Sequence, residues 1–123
     1  MSKPIIHYDD LSDTLSISFD PGEKATGIEL NDHILLRINQ DKRIAIGVTF
    51  LEYSILMQKA EFGPRSFPLT GLVQLSDELQ EIVLDILLKP PVKEYLILST
   101  YTPSYAEAIP ITSLHSISLT TAG

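Results

Sequence analysis

The 123-residue chain contains no cysteine. Disulfides, thiol nucleophiles and every cysteine-ligated zinc or iron–sulfur centre are therefore excluded, and a reducing compartment is expected. Bases are scarce: 9 Lys and Arg stand against 16 Asp and Glu, a net charge of −7, with the acids spread over both halves. A surface of that sign repels phosphate backbones, and no basic run longer than Lys42-Arg43 offsets it, so nucleic acid is not an expected partner. Long apolar runs are missing too. Ile82 to Leu88 is interrupted by Asp85 and falls far short of a bilayer span, and the N-terminus lacks the charged-then-apolar layout of a signal peptide. The expectation is a soluble, cytoplasmic protein with no membrane partner.

What is present suits one domain. Hydrophobic residues make up 44% and charged residues 20% of the chain, near ordinary globular usage, and a chain of this length can bury well over half its unfolded surface. From Thr14 to Phe19 apolar and polar residues alternate, with Leu15, Ile17 and Phe19 on one face. Side chains of a strand point to opposite faces in turn, so this segment is expected to be a half-buried strand. Asp20-Pro21-Gly22-Glu23 breaks it. A second strand runs from Ala25 to Leu30, a third carries Ile34, Leu36 and Ile38, and a fourth carries Ile44, Ile46, Val48 and Phe50 on one face.

Register can be tested on those faces, because residues directly opposite in a hairpin point the same way. A loop of Asn31-Asp32-His33 sets Leu30 opposite Ile34 and Ile28 opposite Leu36. A loop of Gln40-Asp41-Lys42 sets Ile38 near Ile44. Residues 5–54 thus read as an antiparallel β-meander of about four strands with one apolar face, which needs a cover.

Residues 60–71, with two glycines and two prolines, are expected to be a connector. After them Leu79, Ile82, Val83, Ile86 and Leu87 follow the spacing of an amphipathic helix. Ser76 is placed to cap it, Asp77 and Glu78 suit the positive end of its dipole, Lys89 suits the other, and Pro90-Pro91 stops it. Two further strands are expected at Glu94 to Tyr101 and Ala106 to Ile111, the second lying at an edge or ending at Pro110, which cannot donate to a ladder, and a third at Leu114 to Leu119. The fold class is α+β. The expected organisation is a single compact domain over residues 1–123: meander 5–54, connector 60–71, helix and strands 72–123.

Tyr8-Asp9-x-x-x-Asp13-x-Leu15-x-Ile17-x-Phe19 and Gly47-Val48-Thr49-Phe50-Leu51-Glu52-x-Ser54 resemble the two signature segments of the domain of unknown function 2283 family. The resemblance covers about residues 5–54. It implies a small antiparallel meander, often expected to dimerise, with no assigned activity. Some members look like one half of toxin–antitoxin-type pairs, which implies a protein partner. On this resemblance Tyr8, Asp9, Asp13 and Gly47 are the signature residues. The chain departs from the pattern where a turn glycine is expected near Arg43, where Thr49 stands for the usual acid, and throughout residues 60–123.

Three aspartates within five positions, Asp9, Asp10 and Asp13, raise the question of a metal or acid–base site. As a calcium loop starting at Asp9 the segment fails: its third position is Leu11 and its sixth is Thr14 rather than glycine. Asp side chains also bond nearby backbone N–H groups, so the cluster reads as a turn. His7, His33 and His115 share no ligand spacing and read as surface residues. No Gly-x-Ser-x-Gly elbow and no phosphate-binding glycine loop is present. Tyr95, Tyr101 and Tyr105, with Phe62 and Phe67, read as strand packing before they read as a binding surface. Two functions follow. The first is a non-enzymatic association module, homodimeric or binding a protein partner, with no catalytic residue, metal or cofactor. The second is a small metal-dependent or acid–base enzyme using His7, Asp9, Asp10 and Asp13.

Overall fold

The alternating segments become strands in the computed structural model, which describes residues 4–57, 59–60, 63–64, 67–104 and 107–114. Strands β1 (Ile5–Asp9), β2 (Thr14–Ser18), β3 (Thr26–Asn31), β4 (Ile34–Asn39) and β5 (Ile44–Leu51) form a five-stranded antiparallel sheet in the order β1-β2-β5-β4-β3. The α+β class and the antiparallel sheet are as expected. Two details differ. Ile5–Asp9 is a strand of its own, hairpinned to β2, and β2 pairs with β5 rather than with β3. Leu15 lies opposite Phe50 and Ile17 opposite Val48, so the apolar residues of the two strands share one face.

The hairpins are tighter or looser than side-chain matching implies, because polar side chains build the turns. Asn31 Oδ1 accepts from the N–H groups of both His33 and Ile34. Asn31 is thereby held opposite Ile34, and Leu30 becomes the extra residue of a bulge, while Ile28 faces Leu36 as expected. At the next turn Asn39 Oδ1 accepts from Lys42 N–H, Arg43 adopts a left-handed φ of 53°, and Asn39 pairs with Ile44. Ile38 therefore faces Ala45, not Ile44. A second bulge at Ile46 restores the register, so Ala45, Val48 and Phe50 enter the core while Ile46 is buried apart from it.

A four-residue helix α1 (Tyr53–Leu56) follows β5, and the connector is not featureless: it contains the two-residue strands β6 (Lys59–Ala60), β7 (Gly63–Pro64) and β8 (Phe67–Pro68). Helix α2 (Asp77–Leu87) starts where the sequence indicates, Ser76 Oγ accepting from Leu79 N–H at 3.2 Å. Strands β9 (Leu96–Ser104) and β10 (Glu107–Leu114) form a second sheet with β8, in the order β8-β10-β9. Strand β10 is thus central and runs through Pro110. The proline is tolerated because β8 pairs only with Ile111 and Thr112, leaving Pro110 no partner to fail on that side. The strand expected over Leu114 to Leu119 lies outside the described residues apart from Leu114, which ends β10.

The meander finds its cover within its own chain. Leu15, Ile17, Leu36 and Val48 have no accessible surface, and they join one hydrophobic cluster with Ile82, Val83, Ile86 and Leu87 of α2, Leu69 of the connector, Leu72 just after it, and Val92. Among the described residues no helix is long and apolar enough to cross a membrane.

Two stability tests follow. Ile86→Ala should destabilise the fold by about 2 to 5 kcal/mol in urea unfolding, because it removes a filled contact between α2 and the sheet. Arg43→Gly should stabilise it by about 1 kcal/mol, since glycine meets no Cβ penalty in the left-handed region.

Candidate functional site

The signature residues meet at one end of the five-stranded sheet, where the β1–β2 turn touches the start of α1. Asp13 is the centre of this cluster. Its backbone is left-handed, with φ 54°, which turns its carboxylate toward the end of β5. Tyr8 Oη donates to Asp13 Oδ1 at 2.6 Å, Ser54 N–H donates to both carboxylate oxygens at 3.0 and 3.2 Å, and Ser54 Oγ donates to Oδ2. The Asp13 carbonyl in turn accepts from Tyr53 N–H at 2.9 Å. Tyr8 reaches this position because it lies opposite Leu15, on the inner face, where its ring sits 5.9 Å from that of Tyr53.

Asp9 serves the turn itself. Its Oδ1 accepts from Leu11 N–H at 3.1 Å and its Oδ2 from Ser12 Oγ at 2.9 Å. His7 and Asp9 lie opposite Ser16 and Thr14, on the face of the sheet away from Tyr8 and Leu15. The four residues of the enzymatic reading are therefore divided: Asp13 bonds to Tyr8 and Ser54, Asp9 to its own turn, Asp10 lies exposed in that turn, and His7 points from the outer face. Among the described residues no three His, Asp or Glu side chains converge as a metal site.

The electrostatics follow from these bonds. Ser54 and then Tyr8 hold the Asp13 carboxyl below the usual 3.8, and Ser12 and the Leu11 N–H do the same for Asp9. The bond to Asp13 pushes the Tyr8 phenol from 10.0 up to about 12. A general base works best with a pKa near the operating pH, and a ligand needs free lone pairs. Asp13 moves away from the first condition and uses its oxygens on protein donors. What this arrangement does chemically is join two pieces of backbone.

Residues 5–54 match the family described as protein of unknown function (DUF2283). The remainder of the chain is unmatched. No curated protein and no solved structure matches the chain. Within the matched segment the geometry gives each signature residue a local reason. Tyr8, Asp13 and Ser54 form one hydrogen-bonded unit, and Asp9 shapes the turn between Tyr8 and Asp13. Gly47 sits between Ser18 of β2 and Arg37 of β4; a Cβ there would lie 2.8 Å from both Arg37 Nη2 and the Ile17 carbonyl. Glycine lets the guanidinium lie across the sheet, with its Nε buried and without a hydrogen-bond partner among the described residues.

Two participants were not evident from residue types alone. Ser54 stands in the quoted signature, but its role requires the 41-residue separation from Asp13 to close in space. Arg37 lies on a strand with no motif around it, and its link to Gly47 exists only through pairing of β4 with β5. Of the aromatic residues, Phe67 and Tyr95 pack against the core, with Tyr95 5.8 Å from Phe19. Phe62 and Tyr105 lie outside the described residues, and Tyr101 falls in β9.

The latch makes a pH prediction at both ends of the scale. Asp13 has a lowered folded value, so its contribution to stability is complete above its ordinary 3.8 and is lost as pH falls through the lowered one. Tyr8 has a raised value, so its contribution is complete below 10.0 and is lost as pH rises toward about 12. Asp13→Asn should lower the Tm at neutral pH and flatten the acid limb of Tm against pH. Tyr8→Phe should remove a phenolate transition near pH 12 from an ultraviolet titration.

Proposed function

We propose that the chain is a non-enzymatic protein-association module that binds a second copy or a partner protein, of the toxin–antitoxin type that the family resemblance suggests. One observation carries this reading. The sheet's apolar inner face is consumed by the chain's own helix and connector, while β1, at the sheet margin, leaves Ile5 58% and Ile6 40% exposed. A closed fold that still presents a strand with two large exposed aliphatic side chains and no described segment paired beyond it has the form of a surface kept for contact.

The enzymatic reading has less support. His7, Asp9, Asp10 and Asp13 do not converge, and the carboxylates of Asp9 and Asp13 are occupied by Ser12, Leu11, Tyr8 and Ser54. A cation or substrate at Asp13 has to displace Ser54 and Tyr8, and with them the joint between the turn and α1.

Two measurements test the proposal. Thermal unfolding with a series of divalent cations should leave the Tm unchanged. A cation-specific rise that Asp13→Ala abolishes would establish the enzymatic or metal-binding reading instead. Sedimentation velocity on the purified chain, alone and co-expressed with the product of a neighbouring gene, should give a dimer or a complex of fixed stoichiometry. A monomer in both arms overturns the association reading.

A further inference from the structure

We infer that the occupant of the β1 margin is a second copy of this chain, paired antiparallel through β1 so that two five-stranded sheets become one continuous sheet. This inference rests on the association reading and assigns its surface and partner.

The two margins of the sheet are unlike. At β3 the connector occupies the margin: Gly71 N–H donates to the Leu30 carbonyl at 2.9 Å, and Asn31 Nδ2 donates to the Pro68 carbonyl at 3.4 Å. The approach is so close that a Cβ on Gly71 would lie 1.7 Å from the Glu29 carbonyl oxygen, which only glycine permits. At β1 no described segment pairs on the side away from β2. Natural sheets blunt such margins with lysine, proline, a bulge or a cover. Ile5–Asp9 contains neither lysine nor proline, and its register with β2 is unbroken over all five residues. In the second sheet the margins are β9, which carries Pro103 at its hairpin end, and the two-residue β8.

The sequence of β1 suits pairing with itself. Two identical strands around a two-fold axis meet isologously, residue i on residue j and j on i. Inner and outer faces stay matched only if opposed positions have the same parity. Among such registers the one centred on His7 overlaps the whole of Ile5–Asp9. It sets Ile6 opposite the partner's Tyr8 on the inner face, twice, and Ile5 opposite the partner's Asp9 on the outer face. An aliphatic–aromatic cross-strand pair is among the favourable ones. The Tyr8 ring is already held by its bond to Asp13, so little side-chain freedom is lost on pairing. The two Asp9 carboxylates lie at opposite ends of the paired strands, about 13 Å apart along them, beyond a Debye length of about 8 Å at physiological salt. An acidic chain can therefore pair with itself here without opposing like charges at close range.

Sedimentation equilibrium on the purified full chain tests the assignment. The wild type should show a monomer–dimer equilibrium. Ile6→Lys and, separately, Ile5→Lys should shift its midpoint to at least tenfold higher concentration at unchanged Tm, whereas Leu88→Lys, on an equally exposed leucine at the end of α2, should not. Ile5→Lys changes only the outer face and keeps the test open if Ile6→Lys fails to fold. Because the chain has no cysteine of its own, His7→Cys should oxidise to a disulfide-linked dimer, the two-fold placing that residue opposite itself. A wild type that stays monomeric at millimolar concentration, or a dimer that both lysine variants leave intact, overturns the inference. The first outcome leaves the association reading to the co-expression arm; the second preserves it and moves the surface elsewhere.

Discussion

One carboxylate ties together the two ends of the matched segment of this chain. Asp13 accepts the hydroxyl hydrogens of Tyr8 and Ser54 and the Ser54 amide, while its carbonyl accepts from Tyr53. These contacts tie the first hairpin to the chain that leaves β5, and β2 lies beside β5 as a result. Without that joint the β1–β2 hairpin has only its ladder with β5 to locate it. The same bonds hold Asp13 ionised well into acid and Tyr8 protonated well into alkali, so the site's chemistry is that of a fastening rather than of proton transfer.

A second constraint follows from the first. A five-stranded sheet with one apolar face is unstable until that face is buried. Here the unmatched residues supply the cover, through the apolar stripe of α2 with Leu69 and Leu72. The connector then continues along β3 and closes that margin as well. The extension beyond the matched segment thus takes the role that a partner could take for a bare meander. Any association by this chain is left to surfaces that the extension does not reach, among them the β1 margin with its exposed Ile5 and Ile6.

The legible parts of the fold were those governed by periodicity. The α2 stripe, its Ser76 cap and the inward set of Leu15, Ile17, Leu36, Val48 and Phe50 follow from spacing alone, because burial repeats with the geometry of the element. Registers were less legible. Matching apolar faces placed Ile28 opposite Leu36, yet it misplaced Leu30 and Ile44, because Asn31 and Asn39 use their side chains to build turns that shift the ladder by one residue. Arg43 takes the left-handed position that the family pattern assigns to glycine, so the turn survives a residue change that propensity disfavours.

The amino-acid sequence by itself determined the element types, the apolar face of the sheet, the amphipathic helix and the reading of Asp9 as a turn residue, since each depends on neighbours within one turn or one strand. Only the tertiary structure decided that β2 sits beside β5, that Ser54 and Tyr8 share one carboxylate, that Gly47 makes room for Arg37, and which margin of the sheet no described segment covers. Those are contacts between residues far apart in the chain. Their partners are chosen by how strands stack and connectors close on them, which local pattern does not encode.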